Sequence, residues 1–313
     1  MAGHKREVRL RAGRPGHPRS RYCFMSAGTA TLIGLTAILM WSLLAVLTVA
    51  TGRIPAFQLA AMTFAIGALV GSLTWIGRTE AVKALRQPPV AWLVGVGGLF
   101  GYHALYFAAL RLAPPAEAGL LNYLWPLLIV LFSALLPGER LAPHHVIGAL
   151  LGLVGTVVLF AGNASGLTRG QVPGLIAAFA AAFVWASYSV LSRRLKSVPT
   201  DAVTGFCAAT ALLAALVHGL VETTVWPETV LQWIAIAALG IGPVGAAFYA
   251  WDIGMKRGDI RVLGAASYAT PLLSTAFLML AGFAKASAAI AIAAVLIAGG
   301  GLLAAKDMFR KRL

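Results

Sequence analysis

Apolar residues come along this chain in blocks of about twenty, parted by short polar stretches that hold most of the charges. A helix rising 1.5 Å per residue needs about that many to cross a hydrocarbon core of about 30 Å. Ten such blocks can be drawn, at about 29–50, 56–77, 90–110, 116–136, 144–162, 173–192, 201–221, 229–253, 262–281 and 286–305. Strands are not expected, because Ala, Leu and Gly dominate and no sustained period-two alternation runs through the blocks. The connecting stretches are too short for a separate folded domain. The pattern predicts an all-α integral membrane protein of ten transmembrane helices. The first block is too long for a signal-peptide core and no A-x-A site follows it, so it is read as retained.

Composition agrees. Of the 313 residues 59% are hydrophobic and 11% charged, with mean hydropathy +0.84; a soluble domain carries about 25% charged residues. The net charge of +15 would invite a nucleic-acid reading, but its placement argues for a membrane. With the N-terminus inside, the first tail holds seven Lys and Arg, the inner loops ten and the last tail four. The outside keeps only Arg53, Arg111, Arg169 and Lys285. That asymmetry is the positive-inside signature of an even number of spans with both termini cytoplasmic. Residues 1–27 read as a basic, disordered tail and 307–313 as a second basic tail; Met25, just ahead of the first block, offers a second start. Cys23 and Cys207 lie too far apart in depth to pair, and no metal-ligand spacing or cofactor motif is present, so neither metal nor cofactor is expected.

Sliding the sequence against itself by 145 positions sets Arg111 on Lys256, Gly119 on Gly264, Tyr123 on Tyr268 and Pro126 on Pro271. Leu127 and Leu128 then fall on Leu272 and Leu273. The halves are residues 28–162 and 172–306, each with five blocks. Five is odd, so the second copy must begin on the opposite side of the membrane. The expected architecture is two inverted five-helix repeats around a central cavity, which is how carriers with alternating access are built.

The stretches "TLIGLTAILMWSLL", "EAGLLNYLWPLLIVLFSALLPGERL", "FVWASYSVLSRR" and "AASYATPLLSTA" resemble the EamA-type branch of the drug/metabolite transporter superfamily, from about Thr29 onward. The resemblance implies ten helices, cytoplasmic termini and export of amino acids through the inner membrane. Drug or other small-metabolite efflux is the alternative.

Residues that recur at i, i+3 and i+4 share a helix face. The third block places Tyr102, His103 and Tyr106 in that relation. The fourth offers Asn122, Tyr123 and Trp125 around Pro126, the sixth Trp185, Tyr188 and Ser189, and the ninth Ser267 and Tyr268 beside Pro271. The eighth carries Phe248, Trp251 and Asp252, and with a shift of 144 Trp41 falls on Trp185. Polar tips at such depths should face the bundle interior. Tyr102, His103, Tyr106, Asn122, Tyr123, Trp125, Trp185, Tyr188, Ser267, Tyr268 and Trp41 are therefore the candidate cargo contacts, with interior packing the competing reading for each. Pro126 and Pro271 are expected to kink their helices and free the carbonyls of Asn122 and Ser267 for an ammonium group.

Charge at mid-depth is scarce. Asp252 has Lys256 one turn on, Glu117 is expected to meet Arg111 or cap its helix, and Asp201 to cap the seventh span. His218, His144 and His145 are placed at span ends, the first as structural and the pair as interfacial. A neutral zwitterion suits such an interior better than a cation or a phosphate, and passage down the substrate gradient better than proton antiport. With no G-x-S-x-G, H-E-x-x-H or paired aspartates, no catalytic residues and no enzyme are expected. The expected partners are a small-molecule amino acid and membrane lipid, not nucleic acid, with the chain acting as a monomer.

Overall fold

A computed structural model describes residues 25–138, 140–161, 169–282, 287–304 and 306–307. Nearly all of the N-terminal tail, with Cys23, and residues 308–313 of the second tail lie outside the described residues. Among those described, the chain is helical throughout and forms no strand. In order come α1 (Ala27–Ser42), α2 (Leu44–Ala50), α3 (Ala56–Leu73), α4 (Pro89–Leu112), α5 (Pro115–Asn122), α6 (Trp125–Ser133) and α7 (Pro143–Ala161). They are followed by α8 (Val172–Arg194), α9 (Ala202–Val221), α10 (Val230–Ile241), α11 (Ala247–Arg257), α12 (Ile260–Ala266), α13 (Ala269–Leu280) and α14 (Ala288–Ala304). Seven helical segments are long and apolar enough to cross a membrane, and three more are apolar but shorter.

Local chemistry sets the boundaries. Ser26 caps α1 by accepting from the Thr29 amide at 3.1 Å. Pro89 and Pro115 sit in the first turns of their helices, where no amide is needed. Thr229 and Gln232 form a reciprocal capping box at the start of α10. Four of the ten apolar blocks are interrupted. The α5–α6 break falls at Tyr123–Leu124, just ahead of Pro126, and the α12–α13 break at Ser267–Tyr268, just ahead of Pro271. A third break lies at Leu43, and a π segment, Gly242–Ala246 with Pro243 inside it, joins α10 to α11.

The helices pack in a repeating pattern. The most extensive neighbours are α7 with α14, α4 with α8, α3 with α9 and α1 with α11. Glycines allow the closest approaches: a Cβ on Gly148 of α7 would stand 2.5 Å from the Gly300 carbonyl oxygen of α14, and one on Gly254 of α11 would stand 2.7 Å from Gly34 of α1. Backbone meets backbone there, as it does where small residues line contacts in membrane bundles. The outer rim is apolar, with Leu93, Leu216, Leu220, Leu280 and Val295 all well exposed. That is a surface for lipid, not for water.

Polar contacts sort by end of the bundle. At one end Arg78 pairs with Asp201 at 2.7 Å, Arg194 donates to the Leu135 carbonyl, Arg261 to the Arg140 carbonyl, and Arg193 to the carbonyls of Met255 and Gly258. At the other, Glu222 gathers the amides of Phe57 and Gln58, the Arg111 guanidinium at 2.7 Å and the His218 ring at 3.0 Å. Burial pushes the Glu222 carboxyl up, but these donors outweigh it and hold it below the ordinary carboxylate range.

Several expectations change here. Arg111 pairs with Glu222 at the end of α9, a partner that its sequence neighbourhood did not suggest. Asp201 makes no capping bond and holds Arg78 instead. His218 is structural as expected, bridging Glu222 and Thr224. His145, at the start of α7, is buried in the protein, its Nδ1 accepting from the Ala142 amide at 3.1 Å. The Ser267 carbonyl is not freed by Pro271: the chain tightens and the Thr270 amide donates to it at 3.0 Å.

Candidate functional site

Where the long helices cross, four tryptophans from four helices meet: Trp41 of α1, Trp125 of α6, Trp185 of α8 and Trp251 of α11. All are buried, and every pair among them has ring centroids within 6.4 Å. Most contacts are edge-on or tilted, as ring quadrupoles favour; Trp185 and Trp251 lie near parallel, 23° apart. Two indole N–H groups have partners. Trp41 Nε1 donates to the Pro243 carbonyl at 3.0 Å, and Trp251 Nε1 to Ser189 Oγ at 3.1 Å. The first bond depends on the π segment, which departs from the regular α ladder around Pro243.

A more polar group adjoins the tryptophans. Tyr102 of α4 lies 5.2 Å from Trp185 and 5.9 Å from Tyr106, nearly parallel to it. Asn122 Nδ2 donates to the Tyr102 hydroxyl at 3.1 Å, while Asn122 Oδ1 is buried without a protein partner. Tyr123 is near enough to Tyr102 and Tyr106 for their phenols to interact. The α5–α6 break produces this arrangement: it ends one helix on Asn122 and restarts the next at Trp125. His103 Nδ1 stands 2.7 Å from the Leu99 carbonyl, so that nitrogen carries the proton and Nε2 keeps its lone pair when the ring is neutral. Phe64 meets the His103 ring edge-on at 5.0 Å and stacks on Phe248 at 5.5 Å.

Of the residues picked from the sequence, Trp41, Tyr102, His103, Tyr106, Asn122, Tyr123, Trp125, Trp185 and Tyr188 thus form one continuous cluster. Tyr268 joins a second buried group instead, and Ser267 spends its hydroxyl within its own helix. Ser267 Oγ donates to the Leu263 carbonyl at 2.7 Å. Tyr268 is fully buried among Val130, Ala149, Ala293 and Ile297, its ring against Gly152. The slot left by the missing side chain of Gly152 takes that ring. Trp251, Phe248 and Phe64 belong to the cluster but were not chosen as contacts. The i, i+3 spacing of Phe248 and Trp251 signalled a shared face; the nearest aromatic on the face of Phe64 is Phe57, a full two turns away. The cluster offers aromatic faces, an amide oxygen, phenols and an imidazole, and it contains no nucleophile–base pair.

This chain matches the EamA-like transporter family twice, over residues 28–161 and 172–305. It is 60% identical over 282 residues to the aromatic amino acid exporter YddG of Ancylobacter novellus, covering 90% of this chain and 98% of that one. It is 30% identical over 297 residues to the protein of that name in Salmonella typhimurium, covering 89% and 97%. A crystal structure with 59% sequence identity superposes with a TM-score of 0.85 over 89% of this chain and 98% of the other. The chain belongs to the EamA-like transporter family.

Proposed function

We propose that this protein exports amino acids, foremost those with aromatic side chains, across a bacterial inner membrane. The tryptophan cluster with Asn122 beside it carries the reading. Indole and phenyl faces complement an aromatic side chain, and Asn122 Oδ1, buried with no protein partner, is an acceptor for an α-ammonium group. His103 Nε2 is a second acceptor, and the ring faces attract the ammonium by cation–π interaction. The exporters it resembles in Ancylobacter novellus and Salmonella typhimurium carry aromatic amino acids by name.

The architecture that performs this is ten membrane crossings in two inverted five-helix repeats, 28–162 and 172–306, with both termini cytoplasmic and one chain sufficient. Three observations support it. The family match falls twice, once in each half. The partnering of α4 with α8 and of α1 with α11 is one contact seen twice, first to sixth and third to eighth exchanged by a two-fold. Loops assigned from charge to one side bond among themselves: Arg78 with Asp201, Arg194 with Leu135, Arg261 with Arg140. Access alternates as one unit rocks on the other, and no step is enzymatic.

Purified protein in liposomes loaded with each of the twenty amino acids tests the proposal. Tryptophan, phenylalanine and tyrosine should leave fastest and compete with one another. Efflux of cationic drugs with no amino-acid efflux would install the drug-carrier alternative instead.

A further inference from the structure

Just off the tryptophan cluster, at the end of the bundle assigned to the cytoplasm, lies a buried ion pair. Lys256 Nζ is 2.8 Å from Asp252 Oδ1 and 2.9 Å from Oδ2, and both side chains are almost wholly buried. Taking two charges out of water is costly, and an apolar pair of equal volume would serve packing as well or better. Each charge also holds one group of the loop between α8 and α9. Lys256 donates to the Val198 carbonyl at 2.9 Å, and Asp252 Oδ2 accepts from the Thr200 hydroxyl at 2.7 Å. Pro199, between them, stiffens the segment that presents both. A cavity of about 10 Å³, the size of one water, lies against the pair, lined also by Tyr188, Ser192 and Phe206. Tyr188 touches Trp185 at 5.3 Å, and Trp251 directly precedes Asp252 on α11.

We propose that Asp252 and Lys256 form a docking station for the zwitterionic backbone of the cargo on its way in, and that the Val198–Thr200 loop occupies this station while it is shut. The loop offers Lys256 an oxygen acceptor where a carboxylate would bind, and offers Asp252 a hydroxyl donor where an ammonium would bind. An incoming amino acid supplies both groups on adjacent carbons. Its carboxylate takes Lys256 and its ammonium takes Asp252, so one ion pair is exchanged for two and no charge is left alone in the interior. The ring then lies next to Tyr188, at the edge of the tryptophan cluster. The central cluster offers acceptors for the ammonium but has no charged member, so selection for the carboxylate falls to this pair, which meets the ammonium before Asn122 does. The inference rests on the amino-acid reading above.

The test is competition against tryptophan uptake on the cytoplasmic side of the protein in liposomes. The competitors are tryptamine, which lacks the carboxylate, and indole-3-propionate, which lacks the ammonium. Wild type should prefer tryptophan to both by tenfold or more. Lys256→Met should lose its preference over tryptamine and Asp252→Asn should narrow its preference over indole-3-propionate to the part that Asn122 supplies, while Lys256→Arg keeps the wild-type order. Thr200→Val, which removes only the loop's donor, should lower the half-saturation concentration for tryptophan; it keeps the test alive should either charge variant fail to elute as a single species. A purely structural latch would slow all three compounds by one common factor and leave their order intact, and that result overturns the inference. Wild type that moves tryptophan while every variant keeps its order refutes this station alone. Wild type that moves no amino acid refutes the reading beneath it.

Discussion

Replacing Asn122 by leucine tests the central cluster at its least satisfied atom. Asn122 is 4% exposed, its Nδ2 is spent on the Tyr102 hydroxyl at 3.1 Å, and its Oδ1 has no protein partner. Leucine keeps the volume and removes both polar groups. A hydrogen bond to a charged partner contributes about 1.5–3 kcal/mol. If Oδ1 accepts from the cargo ammonium, its loss should raise the half-saturation concentration for tryptophan by roughly ten- to 150-fold, at about 1.4 kcal/mol per factor of ten. The control is Tyr102→Phe, which leaves Oδ1 in place and removes only a neutral bond of about 0.5–1.5 kcal/mol. Its half-saturation concentration should shift by roughly tenfold at most. The assay is efflux from liposomes at graded internal tryptophan, with thermal unfolding in detergent measured alongside. Asn122→Leu with a half-saturation within twofold of wild type, or no worse than Tyr102→Phe, would refute an ammonium contact at Oδ1 and return Asn122 to packing.

Trp125→Ala should lower tryptophan efflux without lowering the amount of protein in the membrane, and unchanged efflux at equal expression would show that ring to be packing alone. Gly148→Leu drives side-chain atoms into the Gly300 backbone of α14, which cannot yield as a flexible side chain would; overpacking of this kind costs about 1–3 kcal/mol, read as a fall in melting temperature, and an unchanged melting temperature would contradict the close approach. Glu222 titrates below its ordinary 4.5 in the folded chain, so its contribution to stability is complete above pH 4.5 and disappears as pH falls through the lower folded value. Glu222→Gln should therefore be less stable than wild type at pH 7, and the difference should shrink toward pH 3 in melting curves; a constant gap across that range would sink the assignment.

What could be read from the sequence alone was whatever rests on local or one-dimensional physics. Block length against bilayer thickness gave ten helical segments, and each block is helical in the structure, although four are interrupted. The prolines pointed to two of the interruptions, since a missing amide acts within its own turn. They did not announce the π segment at Gly242–Ala246, whose Pro243 carbonyl matters because Trp41, two hundred residues earlier, reaches it. Face periodicity gathered most of the aromatic cluster, yet it ranked Tyr268 with Tyr123 because the two are equivalent in sequence. In the structure one joins Tyr102 and Tyr106 and the other fills a slot against Gly152.

Tertiary structure alone decided which of several similar apolar faces meet. In helices hydrophobic on nearly every side, sequence leaves rotation about the axis weakly specified, and the choice falls to glycine contacts and to a few polar pairs. Arg111 shows this plainly: Glu117, six residues away, was one expected partner from nearness in sequence, but Glu222, distant in sequence, is the one the folded bundle delivers at 2.7 Å. The same holds for Lys256, whose bond to Asp252 follows from helical spacing, whereas its bond to the Val198 carbonyl exists only because the α8–α9 loop folds back over α11.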